Sequence, residues 1–291
     1  MRTGAAAVMI DKVFYLLHGL QDRYSALYQD NIARLGPRDV LVASIGSSGQ
    51  SYLGGILAEL GLNYADAYTE ALREDGASEP VSAYDDYRER LATLGAPRRL
   101  WPRFVKTHLT PRFFTGRPLL GVWILVRDPR DALYSWYRFR TEFVRDPLDR
   151  LATSFEDWLC RPGPTGLDRL DDWADFHRRW LCGAGRLPRS AITTFEDLKR
   201  DPLPTLRAGL RAFGLSIPDS DIAAAVLRSD FQTVRRRERD QGGDGPGILR
   251  RGQPEEWRTW MSPSTADLFG RAHVAALARR FGYHLGERAR S

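Results

Sequence analysis

Apolar side chains recur at helical spacing through Val13, Phe14, Leu16, Leu17, Leu20, Tyr24, Leu27 and Ile32, and Gly36-Pro37 ends the run. Residues 1–38 therefore read as a helical N-terminal extension. Asp39–Gly46 is a short apolar run closing in a Gly/Ser cluster, the pattern of a buried strand entering a tight turn, with a helix expected over Leu53–Leu62. Residues 63–100 are mixed, with a helix expected over Tyr84–Leu94. Further strands are predicted at Arg103–His108, closed by Pro111, at Gly121–Val126, the strongest in the chain, and at Ala191–Phe195. Helices are predicted from about Ala132, over Ala174–Leu181, over Pro202–Phe213 and over Ser220–Leu227. Arg235–Gly252 is rich in Gly and Arg and poor in apolar residues, as a mobile loop would be. A last helix should begin at Pro263 with Ser262 as its cap. Apolar strands alternating with helices predict an α/β fold: a single domain over 39–291 with a central parallel sheet flanked by helices. Ligands bind such sheets at the carboxyl ends of the strands, where the Gly/Ser loop, His108 and Arg127 all fall.

Composition narrows this little. The chain has 291 residues, 27% of them charged, and a net charge of +6, a mild excess that favours anionic ligands without demanding nucleic acid. Three residues only are lysine (Lys12, Lys106, Lys199), which draws attention to each. Cys160 and Cys182 form no framework, and the five histidines show no metal-binding spacing, so no metal is expected. The longest uncharged apolar run, near Leu119–Val126, is far below the roughly 20 residues of a membrane span, and no signal-peptide core is present. A soluble, cytoplasmic protein with neither membrane nor nucleic-acid partner is expected.

Four clusters could carry chemistry. Gly46-Ser-Ser-Gly-Gln-Ser51 lies between strand and helix, where small residues let backbone amides wrap a phosphate in a P-loop-like manner; the Lys of a Walker loop is missing. An ordinary strand-to-helix turn explains those residues equally well. Arg127-Asp-Pro-Arg-Asp131 is followed by Ser135 two helical turns on; a guanidinium and a hydroxyl would suit an anion, and internal ion pairs would suit the same residues. Lys106-Thr-His108 places a cation and an imidazole on one face of a strand, as transfer to a hydroxyl requires. Arg250-Arg-Gly252 follows a Gly-rich run and reads equally as a solvated charge run.

Taken in order, these segments resemble the cytosolic-type sulfotransferases, which use 3′-phosphoadenosine 5′-phosphosulfate (PAPS) and release adenosine 3′,5′-bisphosphate (PAP). The likeness runs over about residues 39–270. Val105–Leu109 resembles the family's Pro-Lys-x-His-Leu, with Val105 for Pro, and Arg127–Phe139 its 3′-phosphate signature, the most specific match. Phe195-Glu-Asp-Leu-Lys199 resembles Tyr-Glu-Asp-x-Lys, His177-Arg-Arg-Trp180 a recurrent His-x-x-Trp helix, and Arg250–Arg258 the closing Arg-Lys-Gly segment. The resemblance implies that Ser48, Gly49, Gln50 and Ser51, with Ser47 in the same loop, bind the 5′-phosphosulfate. It implies that Tyr52 and Phe231 sandwich the adenine, that Phe195 contacts the nucleotide without the usual hydroxyl, and that Arg127, Ser135, Arg250, Arg251 and Gly252 hold the 3′-phosphate. His108 would be the general base and Lys106 would steady the transferring group.

Two departures stand out. The family loop reads Pro-Lys-Ser-Gly-Thr-Thr-Trp, so Ser47 replaces a Lys that faces the leaving phosphate; losing one such donor costs on the order of 10²–10³ in rate. Pro263 replaces a Val in a stretch used for dimerisation, leaving a monomer or homodimer expected. The implied reaction is sulfuryl transfer to a hydroxyl of a small-molecule acceptor, such as a phenol, a sugar or a natural-product scaffold. The acceptor would be held by residues 63–100, Phe139–Phe155 and 235–249. The rivals are a catalytically impaired PAP-binding protein of the same fold and a small-molecule P-loop kinase.

Overall fold

The computed structural model describes residues 22–81, 97–143, 148–163, 165–230 and 252–285. The helix expected at Tyr84–Leu94, the loop from 235 and the first 21 residues of the N-terminal extension lie outside them, as do Phe231, Arg250 and Arg251. Strands β1 (Asp39–Ala43), β2 (Asn63–Asp66), β5 (Arg103–Thr107), β6 (Gly121–Val126) and β7 (Arg189–Thr194) form a five-stranded sheet in the order β2-β5-β1-β6-β7. Every pairing in it is parallel. A small antiparallel hairpin, β3 (Glu70–Leu72) and β4 (Ser78–Pro80), hangs beyond β2.

The central strands are mostly apolar because both sheet faces are covered. Leu41, Ala43, Val105, Val122 and Ile124 point into one core layer with Leu133, Trp158, Trp173 and Trp180. Val40, Val42, Phe104, Trp123 and Leu125 point into the other with Leu53, Ile56, Leu57 and Leu210. That period-two division is the pleat itself, and each fully buried aliphatic side chain contributes roughly 1.5–3 kcal/mol. Gly209 lets helix Pro202–Ala212 settle directly on Trp123; a Cβ there would lie 2.1 Å from the indole. At the amino end of the sheet, Arg103 and Asp39 form a fully buried bidentate ion pair (2.7 and 3.1 Å) across the register pair of β5 and β1. The same guanidinium donates to the Arg73 carbonyl at 2.8 Å and so anchors the hairpin loop.

Helices begin earlier than apolar spacing predicts: at Gln50, Pro129 and Arg169 rather than Leu53, Ala132 and Ala174. The last two have polar first turns because side-chain caps start them, whereas the helix at Gln50 follows left-handed Gly49 with no side-chain cap. Asp128 accepts from the Arg130 amide ahead of Pro129, and Asp168 accepts from the amides of Leu170 and Asp171. Ser262 caps helix Pro263–Leu268 through the Thr265 amide, as expected. β2, the hairpin and helix Phe155–Cys160 carry too little apolar pattern to be seen in the sequence. The described part of the N-terminal extension, helix Asp22–Ala33, joins the core through Tyr28. Its Asn31 side chain bonds the carbonyls of Ala67 and Glu70 and the Leu72 amide.

Candidate active site

The carboxyl ends of β1, β5, β6 and β7 deliver the candidate residues to one edge of the sheet. After β1 the loop Ser44–Gly49 turns through left-handed backbone at Ser47 (φ 61°) and Gly49 (φ 94°) before helix Gln50–Glu59. Alternating backbone of this kind makes an anion-binding concavity at a helix amino end. Gly49 cannot carry a side chain, since a Cβ would lie 2.3 Å from the Phe195 ring. Gly46 lies under the Trp136 indole, 3.1 Å from where a Cβ would stand.

Arg127, at the end of β6, is buried and joins two segments. It donates to the Ser47 carbonyl at 3.0 Å and to the Gln253 carbonyl, next to Gly252, at 3.3 Å. Its guanidinium lies 4.7 Å from the Phe195 ring centre. Ser135 is half-buried on helix Pro129–Arg138, eight residues on. Ser48 Oγ, Gln50 Oε1 and Arg127 Nε are buried without a partner among the described residues. Native proteins rarely leave such atoms unpaired, and the two donors among them, Ser48 Oγ and Arg127 Nε, fit an anionic ligand with phosphate oxygens to spare; Gln50 Oε1, an acceptor, does not. Gln50 differs from expectation in that its side chain turns inward: Nε2 donates to the carbonyls of Val42 (2.7 Å) and Thr107 (3.1 Å), clamping the ends of β1 and β5. Only its backbone remains directed by the loop.

Tyr52 and Phe195 meet edge to face, 6.5 Å between centres, and Lys199 Nζ lies 4.4 Å over the Tyr52 ring. Burial, aided by Asp230, pushes the Tyr52 hydroxyl up to about 12, so it stays protonated.

On the other side of the loop lie Lys106 and His108. His108 Nδ1 is 2.8 Å from the Ser44 carbonyl, which can only accept; Nδ1 therefore carries the proton and Nε2 keeps its lone pair. Nε2 has no partner among the described residues. Burial, and secondarily the Lys106 charge, pushes His108 down to about 4, so the ring is neutral at pH 7. Lys106 Nζ pairs with Asp66 at 2.7 Å, its register partner on β2. Tyr68, two residues beyond Asp66, accepts from the His108 amide at 3.0 Å and stacks on the imidazole at 5.6 Å. Tyr28 stacks on Tyr68 and bonds Thr107 Oγ1 at 2.7 Å. The His-x-x-Trp helix closes the frame: Trp180 Nε1 donates to the Leu109 carbonyl at 2.9 Å, while His177 is buried with Nδ1–H on the Trp173 carbonyl.

Sequence reasoning missed Asp66, Tyr68, Trp136 and Asp131. The first three carry no local signal, because register and packing bring them in. Asp131 precedes Ser135 by four residues, which places the two on one face of helix Pro129–Arg138.

A model of the sulfotransferase domain matches residues 37–279. The chain belongs to the sulfotransferase-domain family. Solved structures similar to this sulfotransferase-domain chain include the mouse sulfotransferase SULT7A1 complexed with PAP (14% identity, TM-score 0.60, 86% of this chain and 88% of that one). They also include retinol dehydratase with androsterone and inactive cofactor PAP (15%, 0.55, 93% and 97%). At these identities the likeness establishes the shared fold. A search of curated proteins finds no significant match. No described helix is long and apolar enough to cross a membrane.

Proposed function

We propose that this chain transfers a sulfuryl group from PAPS to a hydroxyl of a small-molecule acceptor, with His108 as general base. The observation that carries the reading is the pairing, at one sheet edge, of a neutral imidazole whose Nδ1 is tied to the Ser44 carbonyl and a loop whose buried polar atoms lack partners among the described residues. PAPS, when bound, supplies the activated sulfuryl group and leaves as PAP. Ser48 and the loop amides of residues 47–51 hold the 5′ end, and Arg127, Ser135 and Gly252 the 3′-phosphate, with Arg250 and Arg251 assigned there by resemblance. Tyr52, Phe195 and Phe231 would border the adenine. His108 Nε2 takes the acceptor proton as the new oxygen–sulfur bond forms and the bond to the PAP phosphate breaks. Ser44 fixes the tautomer and Tyr68 the ring plane. Positioning and charge neutralisation then supply the rate.

A second reading, a PAP binder with little turnover, is favoured by one observation. Ser47 brings no cation, and Lys106, the remaining lysine there, is already paired with Asp66. A thermal-shift titration with PAP, ATP and AMP tests the donor site. Saturation at 100 times Kd adds about 2.7 kcal/mol of stability. Stabilisation by PAP alone supports the donor site; equal response to ATP would favour a kinase. Sulfuryl transfer from labelled PAPS to panels of phenols and sugars then separates enzyme from binder.

A further inference from the structure

Behind the candidate 3′-phosphate contacts lies an acidic residue that the reaction does not use. Asp131 sits in the first turn of helix Pro129–Arg138, four residues after Arg127 and four before Ser135. It is 2% exposed. Oδ1 accepts the Trp257 amide at 2.7 Å, and Oδ2 is buried with no partner among the described residues. Trp257 belongs to the segment that carries Gly252 and Gln253, and Arg127 donates to Gln253 from the opposite side. Asp131 and Arg127 are thus two pins fastening that segment to the end of β6.

The surroundings disfavour a full charge on Asp131. Asp128 and Arg130 flank it on its own segment, where they pair with each other at 2.6 Å. Glu196 faces it from helix Phe195–Arg200, held by the Asp128 amide and the Tyr283 hydroxyl. Arg130 lies 3.6 Å over the Trp257 ring, and Glu255 and Arg258 of the closing segment pair with each other. Arg127 and the Trp257 amide pull toward ionisation. Burial outweighs them and, with Asp128 and Glu196, holds the carboxyl up near 7.

We propose that Asp131 is a positioning residue that fixes the closing segment over the donor site and takes up a proton when a 3′-phosphate binds. The inference rests on the donor reading above. A phosphate held between Arg127, at the end of β6, and Ser135, one turn along the helix from Asp131, adds negative charge near that carboxyl, and like charge strengthens proton binding. The proton removes the buried charge at Oδ2 while Oδ1 keeps the Trp257 amide. Binding therefore weakens as pH rises above 7, by at most tenfold per unit for one linked proton.

Calorimetric titration of the full chain with PAP, at pH 6 to 9 and in two buffers of different ionisation enthalpy, reads this directly. The ligand's own phosphates titrate near 6 in every protein variant, so the comparison with Asp131→Asn isolates the carboxyl. Asn preserves the acceptor for Trp257 and carries no charge. Its PAP affinity should stay flat from pH 7 to 9 where wild type loses about tenfold or more, and its proton uptake should be smaller by up to one. Asp131→Ala, lacking the acceptor, should bind about tenfold more weakly than Asn at pH 6, where both are neutral. Equal proton uptake by wild type and Asp131→Asn overturns the inference while leaving the donor site intact. Failure of wild type to bind PAP overturns the donor reading and this inference with it.

Discussion

The two halves of the site are finished to different degrees. On the side of β1 and β6, Ser48, Gln50 and Arg127 each keep a buried polar atom without a partner among the described residues, and the loop holds left-handed backbone at a non-glycine residue. On the side of β2 and β5, the imidazole is bonded through Nδ1, its amide is bonded to Tyr68, and Lys106 is paired with Asp66. The first half is a concavity of backbone amides and buried donors shaped for an anion. The second is a tool already set, held by hydrogen bonds and stacking that need no ligand. Affinity should live in the first and rate in the second.

The largest effect that would break this division comes from His108→Ala. Loss of the base should lower kcat on the order of 10²–10⁴-fold in sulfuryl transfer from PAPS, with PAP affinity unchanged in a thermal-shift titration. A comparable loss of PAP affinity would show the halves to be one. Arg127→Ala should do the reverse, weakening PAP by about 10–100-fold, since a charge-assisted contact is worth about 1.5–3 kcal/mol. Acid should unmake the second half first. His177 is fully buried and held down to about 4, against an ordinary 6.5, so the unfolded chain binds its proton more readily across that interval. Stability is then complete above about 6.5 and falls by up to about 1.4 kcal/mol per unit toward pH 4; His108 adds loss of the same sign. Urea titrations at pH 7 and pH 5 measure it, and His177→Gln should flatten the difference. The smallest change, Tyr68→Phe, removes the hydroxyl that accepts the His108 amide and also bonds Tyr28. It should reduce kcat about fivefold, near 1 kcal/mol, and leave PAP binding alone.

Much of the architecture could be read from the residue pattern. Gly121–Val126 is a strand to the residue, because six apolar residues in a row suit only a strand covered on both faces. Arg127, Ser135 and the Gly/Ser loop could be located because each is tied to a strand end or helix start that the pattern marks. Asp66 and Tyr68 could not, for their partners lie 40 residues away and meet them only through the β2–β5 register. Gln50 shows the opposite limit: its place in the loop implied a ligand contact, yet its side chain turned inward to close two strand ends.

Local chemistry in the chain by itself marked the four strands β1, β5, β6 and β7 and the residue types at their ends, since periodicity, capping and glycine placement act over a few residues, and the resemblance of its motifs pointed to the family. Tertiary structure alone decided which nitrogen of His108 is free, what holds Lys106, and that Asp131 ties the closing segment to Arg127's strand. Those depend on burial and on hydrogen bonds between distant segments, where the loss of water sets both proton affinity and geometry.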